Sequence, residues 1–221
     1  MSLLSLIKEI SPQLLEGTLV TLQLTGFAIS LGFVIGMFLA LGRLYGRGPV
    51  RKFCIGYIEF FRGTPLLVQL FIVYYGLPRY GIKVPSIVAA LLGLGLNSAA
   101  YQAEYFRGAI QSIDEGQMMA ARALGMKKLQ AILNILIPQA LRIVIPSWSN
   151  ELIYTLKYSS VAYIIGAPEL MAQAKFIAAE NFRYFEVFLV VAFIYLVIVS
   201  LLSWILRIIE NRVRIPGLQT S

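Results

Sequence analysis

The chain of 221 residues has no histidine and a single cysteine, Cys54. An internal disulfide is therefore excluded, as are an imidazole metal centre and a histidine-based catalytic triad. No Gly-Lys pair occurs anywhere, so the phosphate-cradling pattern G-x-x-x-x-G-K-[ST] is missing. No catalytic residue and no metal ligand set are expected, and the chain alone is not expected to be an enzyme. Charge is scarce too: 14% of residues are charged against 58% apolar, with a mean hydropathy of +0.76. That balance lies outside the range of soluble domains.

What is present are long apolar runs. A bilayer core of ~30 Å takes about 20 residues of helix to cross, and five stretches reach that length: Thr18 to Leu41, Cys54 to Leu77, Val84 to Gly108, Ile135 to Ser160 and Glu186 to Leu206. Gly17 to Gly42, Val84 to Ala103 and Val187 to Leu206 contain no charge at all. The expected fold is an all-α integral membrane protein of five transmembrane helices in one domain, residues 1–221. The first ten residues carry Lys8 and Glu9 and no small-residue cleavage site, so no removable signal peptide is expected.

The formal charge of +8 does not point to nucleic acid, because the basic residues are distributed by loop and not gathered on one face. Arg43, Arg47, Arg51 and Lys52 fall in the first connection, Arg107, Arg122, Lys127 and Lys128 in the third, and Arg207, Arg212 and Arg214 after the last span. Lys8, Arg79, Lys83, Lys175 and Arg183 lie on the other side, a bias of eleven against five. The positive-inside rule then sets the N-terminus outside and the C-terminus in the cytoplasm.

The second span is interrupted by Phe61-Arg62-Gly63-Thr64-Pro65-Leu66-Leu67-Val68-Gln69. Pro65 has no N–H and clashes with the carbonyl one turn back, so a continuous helix there would leave backbone groups unpaired. In hydrocarbon each such group costs several kcal/mol, roughly, unless protein or a wet cavity satisfies it. The residues predict a helix break at membrane depth, with Thr64 as N-cap and Pro65 at the first position of a new half-helix.

The cytoplasmic connection from about 109 to 134 mixes acids, bases and apolar residues at spacings that predict short amphipathic helices punctuated by Gly116 and Gly125. Two readings fit: helices lying on the lipid surface, or a docking site for a partner. Adjacent methionines, Met118 and Met119, suit a pliable contact surface. The connection from Gly166 to Arg183 is expected to carry a short helix across the outer face. Gly32-x-x-x-Gly36 reads as a seam of close helix packing.

Ionisable residues inside spans are functional candidates, each with a structural alternative. Glu59 with Arg62, and Glu104 with Arg107, are spaced to neutralise one another. Arg142 and Lys157 have side chains long enough to reach opposite interfaces. Glu151 has no cation at i±3 or i±4. With Pro146 loosening the helix upstream, Ser147, Asn150, Glu151, Tyr154 and Tyr158 are read as one polar face lining a cavity.

The segment Gly116-Gln117-Met118-Met119-Ala120-Ala121-Arg122-Ala123-Leu124-Gly125, with Ile135-Leu136-Ile137-Pro138-Gln139-Ala140 after it, resembles the EAA loop of ABC importer permeases. Phe61 to Gln69, Asn150-Glu151 and Leu156 to Ser160 resemble the branch that takes up polar amino acids such as histidine, arginine and glutamine. Met119 stands where the family pattern has glutamate, and Ile137 where it has leucine. The resemblance implies a multi-pass permease of the bacterial cytoplasmic membrane, embedded in lipid. It also implies a cytoplasmic ABC ATPase dimer that binds ATP and Mg²⁺, an external amino-acid-binding protein, and a second permease copy, since five spans are few to enclose a path. Met119, Ala120, Ala121, Arg122, Leu124 and Gly125 would couple to the ATPase.

On this reading an amino acid substrate binds with its carboxylate near Thr64, where a helix start favours an anion. Its cationic end meets Glu151 and Asn150, beside Tyr154, with Asn97 and Tyr101 contributing from the third span. Basic amino acids are the expected cargo and import by alternating access the expected mechanism. Glutamine, glutamate or other polar amino acids are the alternative cargo; a channel or a non-transporting scaffold are the alternatives of a different class.

Overall fold

The structure, a computed structural model, describes residues 3–213. Among these residues every element is helical. Arg214, counted above with the cytoplasmic bases, lies outside them. Four segments are long and apolar enough to cross a bilayer: Leu6–Tyr45, Ser86–Gln111, Lys128–Ile165 and Tyr184–Val213. The pair Pro49–Gly63 and Leu66–Tyr80, bent by 107°, makes the fifth when taken as one broken span.

The first helix, α1 (Leu3–Tyr45), starts far ahead of the expected Thr18 and runs through Pro12. Pro12 has no N–H to offer the carbonyl of Lys8, and the hydroxyl of Ser11 donates to that carbonyl instead, at 3.2 Å. The proline's main cost to a helix is thereby reduced. Helix α1 packs along α4 (Ser86–Gln111) through the glycine seam. A methyl group on Gly36 would lie 2.9 Å from the Ala99 carbonyl, and one on Gly32 would collide with the Gln102 amide. Small residues let the two backbones approach closely, as the spacing implied.

The second span opens as α2 (Pro49–Gly63), breaks at Thr64 and Pro65, and resumes as α3 (Leu66–Phe71), continued by a π turn and a 3₁₀ turn to Tyr80. Thr64 is extended (φ −118°, ψ 145°), as a residue before proline is pressed to be. The expected capping role is corrected: Thr64 ends α2, and Pro65 precedes α3 without any side-chain cap. The Thr64 hydroxyl turns back and donates to the Phe60 carbonyl at 2.8 Å.

Two short helices, α5 (Glu115–Ala123) and α6 (Lys128–Ala131), form the third connection. Gly125 separates them in the left-handed region (φ 84°), where glycine has no steric cost. Gly116 does not punctuate: it lies in the first turn of α5, and its N–H donates to the Asp114 side chain. The fourth span passes through a π turn at Ile132–Leu136 into α7 (Ile137–Tyr158), which continues through Pro146 without a break. Helix α8 (Leu170–Asn181) packs between α1 and α9 (Tyr184–Val213) over a core that includes Leu6, Ile10, Leu14, Ile177 and Val187.

Candidate functional site

The break in the second span is closed by side chains. The Gln69 amide nitrogen donates to the Phe61 carbonyl (2.8 Å), the Thr64 carbonyl (3.0 Å) and the Thr64 hydroxyl (2.8 Å). Asn97 on α4 donates to the Gln69 side-chain oxygen at 2.9 Å and to the Phe61 carbonyl at 3.3 Å. Of the carbonyls left open where α2 ends, those of Phe60, Phe61 and Thr64 thereby gain side-chain partners. Gln69, 3% exposed, closes the break, a role that the sequence pattern alone does not single out.

Beside this break lies a cavity of about 260 Å³ between α3, α4 and α7. Asn97, Tyr101 and Tyr105 of α4 line it opposite Glu151, Tyr154, Thr155 and Tyr158 of α7, and Leu66 and Leu94 close it with apolar surface. Four of the six expected substrate residues, Asn97, Tyr101, Glu151 and Tyr154, are therefore brought together. Asn150 is not: it is exposed and off the cavity wall, because neighbouring positions on a helix face about 100° apart. Thr64 is likewise absent from the wall, which Leu66 reaches instead.

Glu151 is 5% exposed. Ser98 donates to one of its oxygens at 2.8 Å, Thr155 to the same oxygen at 3.4 Å, and Tyr105 to the other at 3.4 Å. Among the described residues no lysine or arginine pairs with it. A buried carboxylate held by hydroxyls alone is expensive to keep charged and invites a cation. The aromatic rings around it offer the faces that attract ammonium and guanidinium groups. The cationic side chains nearest this region sit on its margins: the Arg62 guanidinium carbon lies 5.4 Å from the Tyr101 ring centre, and the Lys157 nitrogen 4.7 Å from that of Tyr154.

Arg43, Glu59, Arg62, Glu104 and Arg107 form one cluster of charges. Glu104 accepts from Arg43 at 2.8 Å and pairs with Arg107 at 2.9 Å and Arg62 at 3.7 Å, while Glu59 faces Arg43 at 3.8 Å. The expected Glu104 with Arg107 couple is present. The Glu59 with Arg62 couple is not, because α1 and α4 supply nearer opposite charges to each.

On the third connection, Asp114 caps α5 and the chain leaves it through a Schellman turn, with Met126 N–H donating to the Ala121 carbonyl at 3.1 Å. Ala121 faces inward, whereas Met119 (66%) and Leu124 (85%) stand exposed beside Ala120, Arg122 and Gly125. At the opposite turn Glu169, fully buried, accepts from the backbone N–H groups of Met171 and Ala172 at 2.9 and 2.8 Å. Thr21 of α1 and Tyr195 of α9 add longer bonds to it, at 3.5 and 3.4 Å. Burial pushes its carboxyl up to about 7.

Comparison with known proteins agrees with this architecture. A putative glutamine transport system permease protein of Rickettsia bellii is 40% identical over 208 residues, covering 92% of this chain and 95% of its own. A probable amino-acid ABC transporter permease protein of Bacillus subtilis is 39% identical over 204 residues, covering 92% and 90%. A crystal structure of an amino acid ABC transporter with histidines superposes with a TM-score of 0.89 at 39% identity, over 96% of this chain and 99% of that one. Residues 32–215 match the family described as the inner membrane component of binding-protein-dependent transport systems. With its broken span and the exposed helix of its third connection, the chain belongs to that family, as the permease subunit of an amino acid ABC importer.

Proposed function

We propose that this permease carries basic amino acids, and that Glu151 receives their cationic end. The observation that carries the reading is a buried carboxylate without a cationic partner, set in a tyrosine-rich cavity. At about 260 Å³ the cavity is smaller than the roughly 300–1,000 Å³ of drug-sized pockets, which suits a solute the size of one amino acid. The cation stacks against Tyr101, Tyr105 and Tyr154, and the substrate carboxylate points toward Leu66, where the second half of the broken span begins. Thr64 acts behind the wall by holding the break, and Asn97 serves both the break and the cavity.

A second copy of the chain covers the exposed face of α7 that bears Ser147, Asn150, Tyr154 and Tyr158. The exposed tip of α5 and its Schellman turn, from Met119 to Gly125, seats in a cytoplasmic ATPase dimer that binds ATP and Mg²⁺. An external binding protein delivers the substrate, and closure of the ATPases drives alternating access. The N-terminus lies outside and the C-terminus in the cytoplasm. A second cargo, glutamine, is favoured by the name of the Rickettsia relative; an α-amino group would then occupy Glu151. ATP-dependent uptake of labelled arginine into liposomes separates the two. Competition by lysine and histidine but not glutamine supports basic cargo, and competition mainly by glutamine overturns it.

A further inference from the structure

Behind Glu151 runs a chain of polar groups that connects the cavity to α1 and, one turn back along α7, to Trp148. The Trp148 indole N–H donates to the Gln102 side-chain oxygen at 3.0 Å. The Gln102 amide nitrogen donates to the Ile29 carbonyl of α1 at 3.1 Å and to the Ser98 hydroxyl oxygen at 3.0 Å. Ser98 then donates to Glu151 at 2.8 Å. Gln102 is 0% exposed and Ser98 2%, so both are shielded from bulk solvent.

The direction of every link follows from groups that cannot reverse. An indole nitrogen only donates and a backbone carbonyl only accepts. Trp148 therefore fixes the oxygen of Gln102, Ile29 fixes its nitrogen, and the second amide hydrogen must point at Ser98. The single Ser98 proton is left for Glu151. We infer that Trp148, Gln102 and Ser98 are positioning residues that determine specificity: a chain of fixed polarity aims the Ser98 proton at one Glu151 oxygen, which holds that side chain in place and favours its ionised form toward a cationic substrate. The inference rests on the reading of Glu151 given above. It also explains why Gly32 is bare of a side chain, since a methyl group there would displace the Gln102 amide.

The test uses the complete importer in liposomes, with KM and maximal rate measured separately for arginine and glutamine. Ser98→Ala removes the donor and Ser98→Thr keeps it. Gln102→Glu preserves size and the bond from Trp148 but offers Ser98 an acceptor, which draws its proton away from Glu151. Loss of one hydrogen bond to a charged group corresponds to about tenfold in affinity. The expected result is a rise of about tenfold in arginine KM in Ser98→Ala and Gln102→Glu, little change for glutamine, and recovery in Ser98→Thr. If Glu151→Gln abolishes the preference for arginine while Ser98→Ala and Gln102→Glu keep it, the polarity chain is overturned and the reading of Glu151 stands. If Glu151→Gln itself keeps the preference, the reading of the site fails first. Should Gln102→Glu fail to assemble, the Ser98 pair decides alone.

Discussion

Asn97 of α4 lies 2.9 Å from the Gln69 side-chain oxygen and so bolts the broken second span to the wall of the cavity. Gln69 in turn needs its nitrogen as a donor to two backbone carbonyls. Gln69→Glu would set a carboxylate against oxygens already facing it. Unsatisfied buried groups cost about 1–3 kcal/mol each, so the detergent-solubilised importer should melt several degrees lower, with Gln69→Glu worse than Asn97→Ala. A differential scanning measurement checks the order.

The seam between α1 and α4 gives a second expectation. Gly36→Ala brings a methyl group to 2.9 Å from the Ala99 carbonyl, and overpacking of this kind costs roughly 1–3 kcal/mol. Gly56 lies on α2 with nothing within 4 Å of where a methyl group would sit, and should tolerate alanine. Comparing the melting temperatures of the two variants tests whether packing, and not glycine content, sets the loss.

Glu169 predicts a pH dependence. Its carboxyl lies raised to about 7 against an ordinary value of 4.5, so the folded state holds the proton more tightly than the unfolded state does. The stability this supplies is complete below pH 4.5 and is lost as pH rises through about 7. The junction of α1, α8 and α9 should therefore be firmer at about pH 5.5 than at about pH 8. Hydrogen exchange of the α8 amides at the two pH values measures this, and Glu169→Gln should flatten the difference.

The tip of α5 carries the fourth expectation. Leu124 is 85% exposed, and surface substitutions away from packing usually change stability by no more than about 0.5 kcal/mol. Leu124→Glu should leave the permease melting point in place and weaken retention of the ATPase on purification. Gly125→Val, at φ 84°, should distort the Schellman turn and reduce ATP-driven uptake as well.

The general plan was legible because its causes are local. Pro65 breaks the second span because Thr64 before it is pressed into extended backbone, charge-free runs mark spans, and helical spacing joins Asn97 to Tyr101 and Glu151 to Tyr154. The polar face expected around Glu151 is two positions too wide: Ser147 and Asn150 are both exposed, and neither lines the cavity. The early start of α1 lies ahead of the charge-free run that marks the span, because Lys8, Glu9 and Glu16 precede it. The buried contacts of Gln69, Ser98, Gln102 and Glu169 were not legible in the sequence. The Asn97 to Gln69 bond spans 28 positions and the Ser98 to Glu151 bond 53, and an amide or hydroxyl in an apolar run gives no sign of what it faces. Glu169 looks like any loop charge until α1 and α9 close over it. A glutamine inside an otherwise apolar span, as at Gln102, was the one available signal.

The most direct test of the central claim is the ratio of arginine to glutamine uptake by the assembled importer carrying Glu151→Gln. If Glu151 receives a side-chain cation, arginine uptake falls by at least tenfold while glutamine uptake changes little. Equal losses for both amino acids would contradict that claim and make Glu151 a structural carboxylate.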